Sequence, residues 1–314
     1  MSTPPVYEKI YDSIERVIVG RPRTVKFAIA SLIAGGHVLL EDVPGTGKTM
    51  LAKSLAQAIK TDFKRVQFTP DLLPSDVTGL NVFHADSGEF RFHPGPVFTG
   101  ILLADEINRA TPRTQSGLLE CMEERQVTID GETHRLPEPF MVIATQNPVE
   151  TAGTFPLPEA QLDRFLVKLS MGFPSQEEEA MILRRFERGQ TVTGVTETDA
   201  ATPEQILELR RQALNVNIHD DLVRYICALS AATRNRSDVL SGVSPRGTLA
   251  LLRVSQVLAV ISGRDHIIPE DIKEAAIPVL SHRLILPHGY STSGSGENII
   301  RSLLDSVPVP TENF

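Results

Sequence analysis

Glu41-Asp-Val-Pro-Gly-Thr-Gly-Lys-Thr49 decides the fold. It follows the apolar run from His37 to Glu41 and precedes an Ala- and Leu-rich stretch, Lys48 to Lys60. That order is strand, glycine-rich turn, helix. Gly47-Lys48-Thr49 match the end of the phosphate-loop pattern G-x-x-x-x-G-K-[S/T], although Asp42 stands where the pattern has its first glycine. Gly45 and Gly47 let the backbone turn tightly, so that N–H groups can form a nest for a phosphate. The helix beginning near Lys48 adds the positive end of its dipole. In such a loop Lys48 reaches the β- and γ-phosphates of ATP, and the Thr49 hydroxyl ligates Mg²⁺.

Working outward, apolar runs at 65–68, 100–104, 140–145 and 166–170 predict further strands. Runs apolar on both faces fit a parallel sheet covered by helices. The third strand, Ile101-Leu-Leu-Ala-Asp-Glu106, ends in two carboxylates. A strand beside the phosphate loop would bring Asp105 to the metal and Glu106 near the γ-phosphate, as general base toward water. Phe140-Met-Val-Ile-Ala-Thr-Gln-Asn147 ends at the same sheet edge with Asn147, which can bond both the γ-phosphate and the hydrolytic water. Gln126 to Arg135 alternates around Asp130-Gly131 and predicts a tight hairpin. The stretch 69–98 is long for a crossover and holds Phe83, Phe90 and Phe92.

Gly172-Phe173-Pro174 breaks the pattern. The expected division is an αβα core over 1–173, with its insert near 69–98 and hairpin near 126–136, and a helical lid over 174–314. Ser175 with Glu178, and Thr202 with Gln205, read as capping boxes. Helices are expected over 220–233, 245–262, 269–280 and 297–305, with connections at Gly189 to Ala201 and Ser291 to Gly296.

Taken together these strands resemble the AAA+ ATPases, and within them the MoxR family, over nearly the whole chain. Val19-Gly20-Arg21 looks like the adenine-side segment, and 39–49 like the family's Walker A, in which the missing first glycine is usual. Asp105-Glu-Ile-Asn-Arg-Ala110 looks like Walker B and Ala144-Thr-Gln-Asn-Pro148 like sensor 1. Glu159-Ala-Gln-Leu-Asp-Arg-Phe165 looks like the arginine-finger segment, and Gly242-Val-Ser-Pro-Arg-Gly247 like sensor 2. The resemblance implies nucleotide contacts from Val19, Gly20, Pro44, Gly45, Thr46, Gly47, Lys48, Thr49 and Met50. It implies Mg²⁺ held by Thr49 and Asp105, and catalysis by Lys48, Glu106, Asn147, Arg164 and Arg246. Arg164 would project into the neighbouring subunit's nucleotide. Whether Arg246 acts in its own subunit or the next stays open at this level.

The fold implied is a five-stranded three-layer AAA+ domain followed by an all-α lid. The assembly implied is a ring, most often a hexamer, with ATP between subunits. Implied partners are a protein client and a von Willebrand factor A domain protein. The work implied is remodelling or maturation of protein complexes, including metal-cofactor insertion. The alternatives are a helicase-like nucleic-acid motor and a magnesium-chelatase-type subunit. A net charge of −8, from 31 basic and 39 acidic side chains, argues against nonspecific nucleic-acid binding. A small-molecule kinase needs no arginine in trans, and the N-K-x-D motif of a GTPase is absent from the sequence. The two cysteines make no metal spacing, and no apolar run reaches the roughly 18 residues of a membrane span, so a reduced cytoplasmic protein is expected.

Overall fold

A computed structural model describes residues 3–148, 153–187, 200–287 and 294–310. Most of the connection expected at Gly189 to Ala201, and half of that at Ser291 to Gly296, lies outside the described residues.

The strands in chain order are β1 (Val38–Glu41), β2 (Phe63–Gln67), β3 (Gly79–His84), β4 (Glu89–Pro94), β5 (Ile101–Asp105), β6 (Gln126–Ile129), β7 (Glu132–Arg135), β8 (Met141–Gln146) and β9 (Val167–Leu169). Five of them form one parallel sheet in the order β2-β5-β8-β1-β9. The expected strands are all present, shifted by a residue or so at their ends. β1 is flanked on both sides, Val38 pairing with Ile143 and with Val167, which is why it reads as uninterrupted apolar sequence. β2 is an edge strand, and only Val66 of its five residues is buried.

Alternation along the central strands sorts side chains into two cores. Ile101, Leu103, Met141, Ile143, Val38 and Leu40 join the first, with the helices Pro22–Ala34 and Lys48–Ala58. Leu102, Ala104, Val142, Ala144 and Leu39 join the second, with Leu118, Leu119 and Met122 of the helix Pro112–Glu124. Side chains of this kind contribute about 1.5–3 kcal/mol each when fully buried.

After β9 the elements are helical: Gln176–Glu187, Pro203–Leu214, Asp220–Arg234, Pro245–Ile261, Pro269–Leu280 and Ser295–Ser306. Both expected capping boxes form. Ser175 N–H donates to Glu178 at 2.8 Å, and Thr202 N–H to Gln205 at 2.9 Å. The first core continues into this lid through Ile206, Leu251, Val254 and Ile272, so lid and sheet share apolar packing. The helix Pro5–Glu15, which the sequence reading did not anticipate, adds Tyr7, Ile10 and Ile14 to the same core.

The two inserts are antiparallel hairpins, β3-β4 and β6-β7. They lean on each other: Phe92 stacks on His134 with ring centroids 4.0 Å apart, and Asn81 donates to Asp130 at 2.8 Å. Phe83 and Phe90 stand outward on β3-β4, 54 % and 70 % exposed.

Candidate nucleotide site and its two charged clusters

Gly45 and Gly47 adopt φ of 85° and 92°, the left-handed turn that the loop between β1 and its helix requires. Gly47 is the N-cap of the helix Lys48–Ala58, and no side chain caps that end. Its first N–H groups are therefore available to an anion. Lys48 folds back over the loop and donates from Nζ to the Asp42 carbonyl at 2.9 Å and the Val43 carbonyl at 3.3 Å. Thr49 lies in the first turn, half-buried, and Met50 beside it is exposed.

Asp42, the departure from the general pattern, is 6 % exposed and fully used. Its carboxylate accepts from Ser170 Oγ at 2.8 Å, Met171 N at 2.5 Å and Gly172 N at 3.0 Å. A glycine there would leave those donors without a partner. The same short segment fastens the Val19-Gly20-Arg21 stretch, since Arg21 donates to the Gly172 carbonyl at 3.3 Å and to Glu178 at 3.1 Å. Gly20, at φ 72°, passes so close to Glu178 that a Cβ would sit 1.8 Å from its carboxylate oxygen. Residues 170–172 thus tie Val19-Gly20 and the phosphate loop to one point.

Asp105 and Glu106 end β5 at the same sheet edge. Asp105 accepts from Thr145 Oγ1 at 2.6 Å and from Arg65 at 2.6 Å. Glu106 has a left-handed φ of 55°, and its N–H donates to Thr145 Oγ1 at 2.8 Å. Its carboxylate accepts from Gln67 at 2.7 Å and pairs with Arg109 at 3.1 Å. Thr145, one residue before Gln146 and Asn147, therefore locks the end of β8 to the acidic pair. Asn147 follows β8 directly at that edge. Thr49 and Asp105 offer hard oxygen donors, the kind Mg²⁺ prefers, and so fit that ion chemically.

Arg164 and Arg246 are elsewhere. Leu166 N–H donates to the His37 carbonyl at 2.8 Å, which places the end of the 159–165 segment at the start of β1, whereas the loop 42–47 leaves its end. There Glu123 takes both arginines, Arg164 Nε at 3.0 Å and Arg246 at 3.1 Å. Glu123 closes the helix Pro112–Glu124, a rise of about 20 Å from the end near Glu106. Ser244 caps the Arg246 helix by accepting from Gly247 N at 3.1 Å. Asp163 then joins the two segments, accepting from Ser244 Oγ at 2.7 Å and Arg283 Nε at 2.6 Å.

Buried neutral histidines brace this second cluster. His37 Nδ1 accepts from Val142 N at 2.9 Å, and Nε2 lies 3.0 Å from the Met122 carbonyl, beside Glu123. Burial, with the Arg125 charge nearby, pushes its pKa down to about 3. His282 lies 3.1 Å from the Phe165 carbonyl, beside Arg164, and burial with Arg283 holds it well below the usual histidine range.

The structure therefore gathers the phosphate loop, Asp105, Glu106 and Asn147 at one sheet edge, and Arg164 with Arg246 at the other. Sequence reasoning missed Gln67, Arg65, Thr145 and Glu123. Gln67 and Arg65 lie on a strand whose neighbour is set by topology, and Glu123 looks like any helix-surface acid.

Residues 37–167 match the ATPase family associated with various cellular activities (AAA), and residues 231–303 match the AAA lid domain. The chain is 48 % identical to the Bacillus subtilis protein YeaC, itself uncharacterised, over 98 % of this chain and 96 % of that one. It is 41 % identical to a Mycobacterium tuberculosis protein named Chaperone MoxR1, over 98 % of this chain and 83 % of the relative. Protein MoxR of Paracoccus denitrificans is 31 % identical over 95 % and 94 % of the two chains. A crystal structure of a candidate ATPase from Cytophaga hutchinsonii superimposes with a TM-score of 0.87 at 39 % identity, covering 98 % of this chain and 95 % of that one.

Proposed function

This chain belongs to the MoxR family of AAA+ ATPases, and from that premise we propose that it hydrolyses ATP to ADP and phosphate at sites shared between adjacent copies of itself. One observation carries the reading: the two arginines expected at the γ-phosphate sit at the sheet edge opposite their own phosphate loop. Head-to-tail packing would present them to the next copy's nucleotide and close a ring. Arg246 then acts in the next subunit, as Arg164 does.

In that site the loop's N–H groups and Lys48 hold the β- and γ-phosphates, with Val19, Gly20, Pro44, Thr46 and Met50 completing the nucleotide contacts. Mg²⁺, when bound by Thr49 and Asp105, supplies charge neutralisation at the phosphate oxygens. Asn147 orients a water in line with the γ-phosphorus. Glu106, released from Gln67, takes that water's proton as its oxygen bonds to phosphorus and the bond to ADP breaks. Arg164 and Arg246 stabilise charge on the transferring group. Residues 1–173 act as the nucleotide core and 174–314 as the lid, and rocking of lid against core moves the core's two hairpins.

We place this work in protein remodelling or maturation, metal-cofactor insertion included, by a cytoplasmic hexamer serving a von Willebrand factor A domain partner. Support for those finer assignments is the family likeness and the relative named as a chaperone. The acidic net charge favours this reading over a nucleic-acid motor. Among the described residues no helix is long and apolar enough to cross a membrane.

The test mixes Arg164→Ala with Lys48→Ala subunits. Each alone should be inactive, and mixed assemblies should regain turnover where intact partners meet. No recovery at any ratio, with mixed assembly confirmed by sedimentation, refutes the shared site.

A further inference from the structure

Arg164 and Arg246 are bridged by one carboxylate. Glu123 uses a different oxygen for each, Oε2 toward Arg164 and Oε1 toward Arg246. Arg164 is held through Nε, on the stem side of its guanidinium, at 3.0 Å. A guanidinium is a rigid planar fork with five N–H donors, more than one shared carboxylate can take up, so donors remain for a second anion. Arg246 comes closest through Nη1, at 3.1 Å. Among the described residues neither arginine has a second ion pair.

The backbones beneath them are fixed as well. Asp163, one residue before Arg164, binds Ser244, two residues before Arg246, and the buried Arg283. Three elements thus converge so that two cations share one anion at the surface. Side chains of Glu123, Arg164 and Arg246 are 35 %, 28 % and 45 % exposed. Pairs this open add little to stability. The arrangement is better accounted for by orientation.

We propose that Glu123 is a positioning residue: it holds Arg164 and Arg246 from behind as one outward-facing clamp for the terminal phosphate of a nucleotide on the next copy of the chain. The proposal rests on the shared-site reading above. Two guanidinium groups aimed together can each give charge-assisted bonds to the same phosphoryl group. Without Glu123 both would sample many rotamers, and the clamp would be set only part of the time.

Glu123→Ala and Glu123→Gln in the full chain test this, beside the double variant Arg164→Ala/Arg246→Ala. Glu123→Ala should lower kcat about tenfold or more while KM for ATP stays within about threefold, since the P-loop holding ATP is intact. Glu123→Gln should fall between, because its amide oxygen can accept from one arginine and its amide nitrogen repels the other. Mixing Glu123→Ala with Lys48→Ala subunits should restore part of the turnover. In the chain lacking both arginines, removing Glu123 should change nothing further. Sedimentation with ATP checks that each variant still assembles, separating a lost clamp from a lost fold.

Wild-type kcat in assembled Glu123→Ala overturns the proposal. So does a fall that mixing does not repair, or one that persists without the arginines. Wild-type turnover by Arg164→Ala alone would instead defeat the shared-site reading itself, and this proposal with it.

Discussion

The two charged clusters of this chain are built on opposite principles. At the strand ends, Asp105 and Glu106 are gripped by neighbours within the sheet: Thr145 on β8, and Arg65 and Gln67 on β2. At the strand starts, Arg164 and Arg246 come from a short helix end and the lid, and meet on Glu123. The first cluster is a set of acids beside the glycine-rich loop, with neither Arg164 nor Arg246. The second is arginine-rich with no phosphate loop. Each lacks what the other has, and the sheet stands between them. On the shared-site reading proposed above, a single copy does not complete its own site, and assembly becomes a condition of chemistry.

The largest test of that contrast is Arg164→Ala. Steady-state phosphate release should fall about 10³-fold with ATP binding retained, the lower range for an arginine finger. Turnover within a few fold of wild type would mean the clusters are not complementary. Glu106→Gln probes the other end, with turnover expected to drop about 10²-fold or more while a fluorescent ATP analogue still binds. Binding lost in parallel would assign Glu106 to ground-state contacts.

Asp42→Ala sharpens the comparison by loosening only the strand-end cluster. It strands buried donors at 170–172, so denaturant unfolding should show a loss of about 1–3 kcal/mol. ATP affinity should weaken with it. An unchanged midpoint with normal ATP binding would show that the loop does not depend on this anchor.

Acid should act on the arginine cluster first. His37 and His282 are neutral when folded and bind a proton more readily when unfolded. Their contribution is therefore whole above the ordinary histidine value near 6.5 and is lost as pH falls below it, toward about 3 for His37. Hydrogen exchange at pH 5 against 7.5 should rise earliest in 121–124 and 164–166; uniform change across the sheet would contradict the assignment.

Much of the strand-end cluster was legible because its signals are local. A glycine turn, an apolar run ending in Asp105-Glu106, and another ending at Asn147 each announce themselves within ten residues. The alternation around Asp130-Gly131 gave β6 and β7 with their true limits. The partners of these residues were not legible. Arg65 meets Asp105 because Gln67 and Asp105 are in register across β2 and β5, a fact of sheet order. Glu123 gains its place only when the lid folds back to bring Arg246 to it. Asp42 looked like a defect in a motif because its donors lie about 130 residues onward.

The contact between the two hairpins has a mechanical consequence. A ribbon rooted at one place swings like a flag. One braced along its length by Phe92 against His134, and by Asn81 against Asp130, behaves as a strut. Its roots are β2 and β5 on one side, and through the second hairpin β8 on the other. A load on Phe83 and Phe90 therefore has two paths inward, and both end at the strands that hold Glu106.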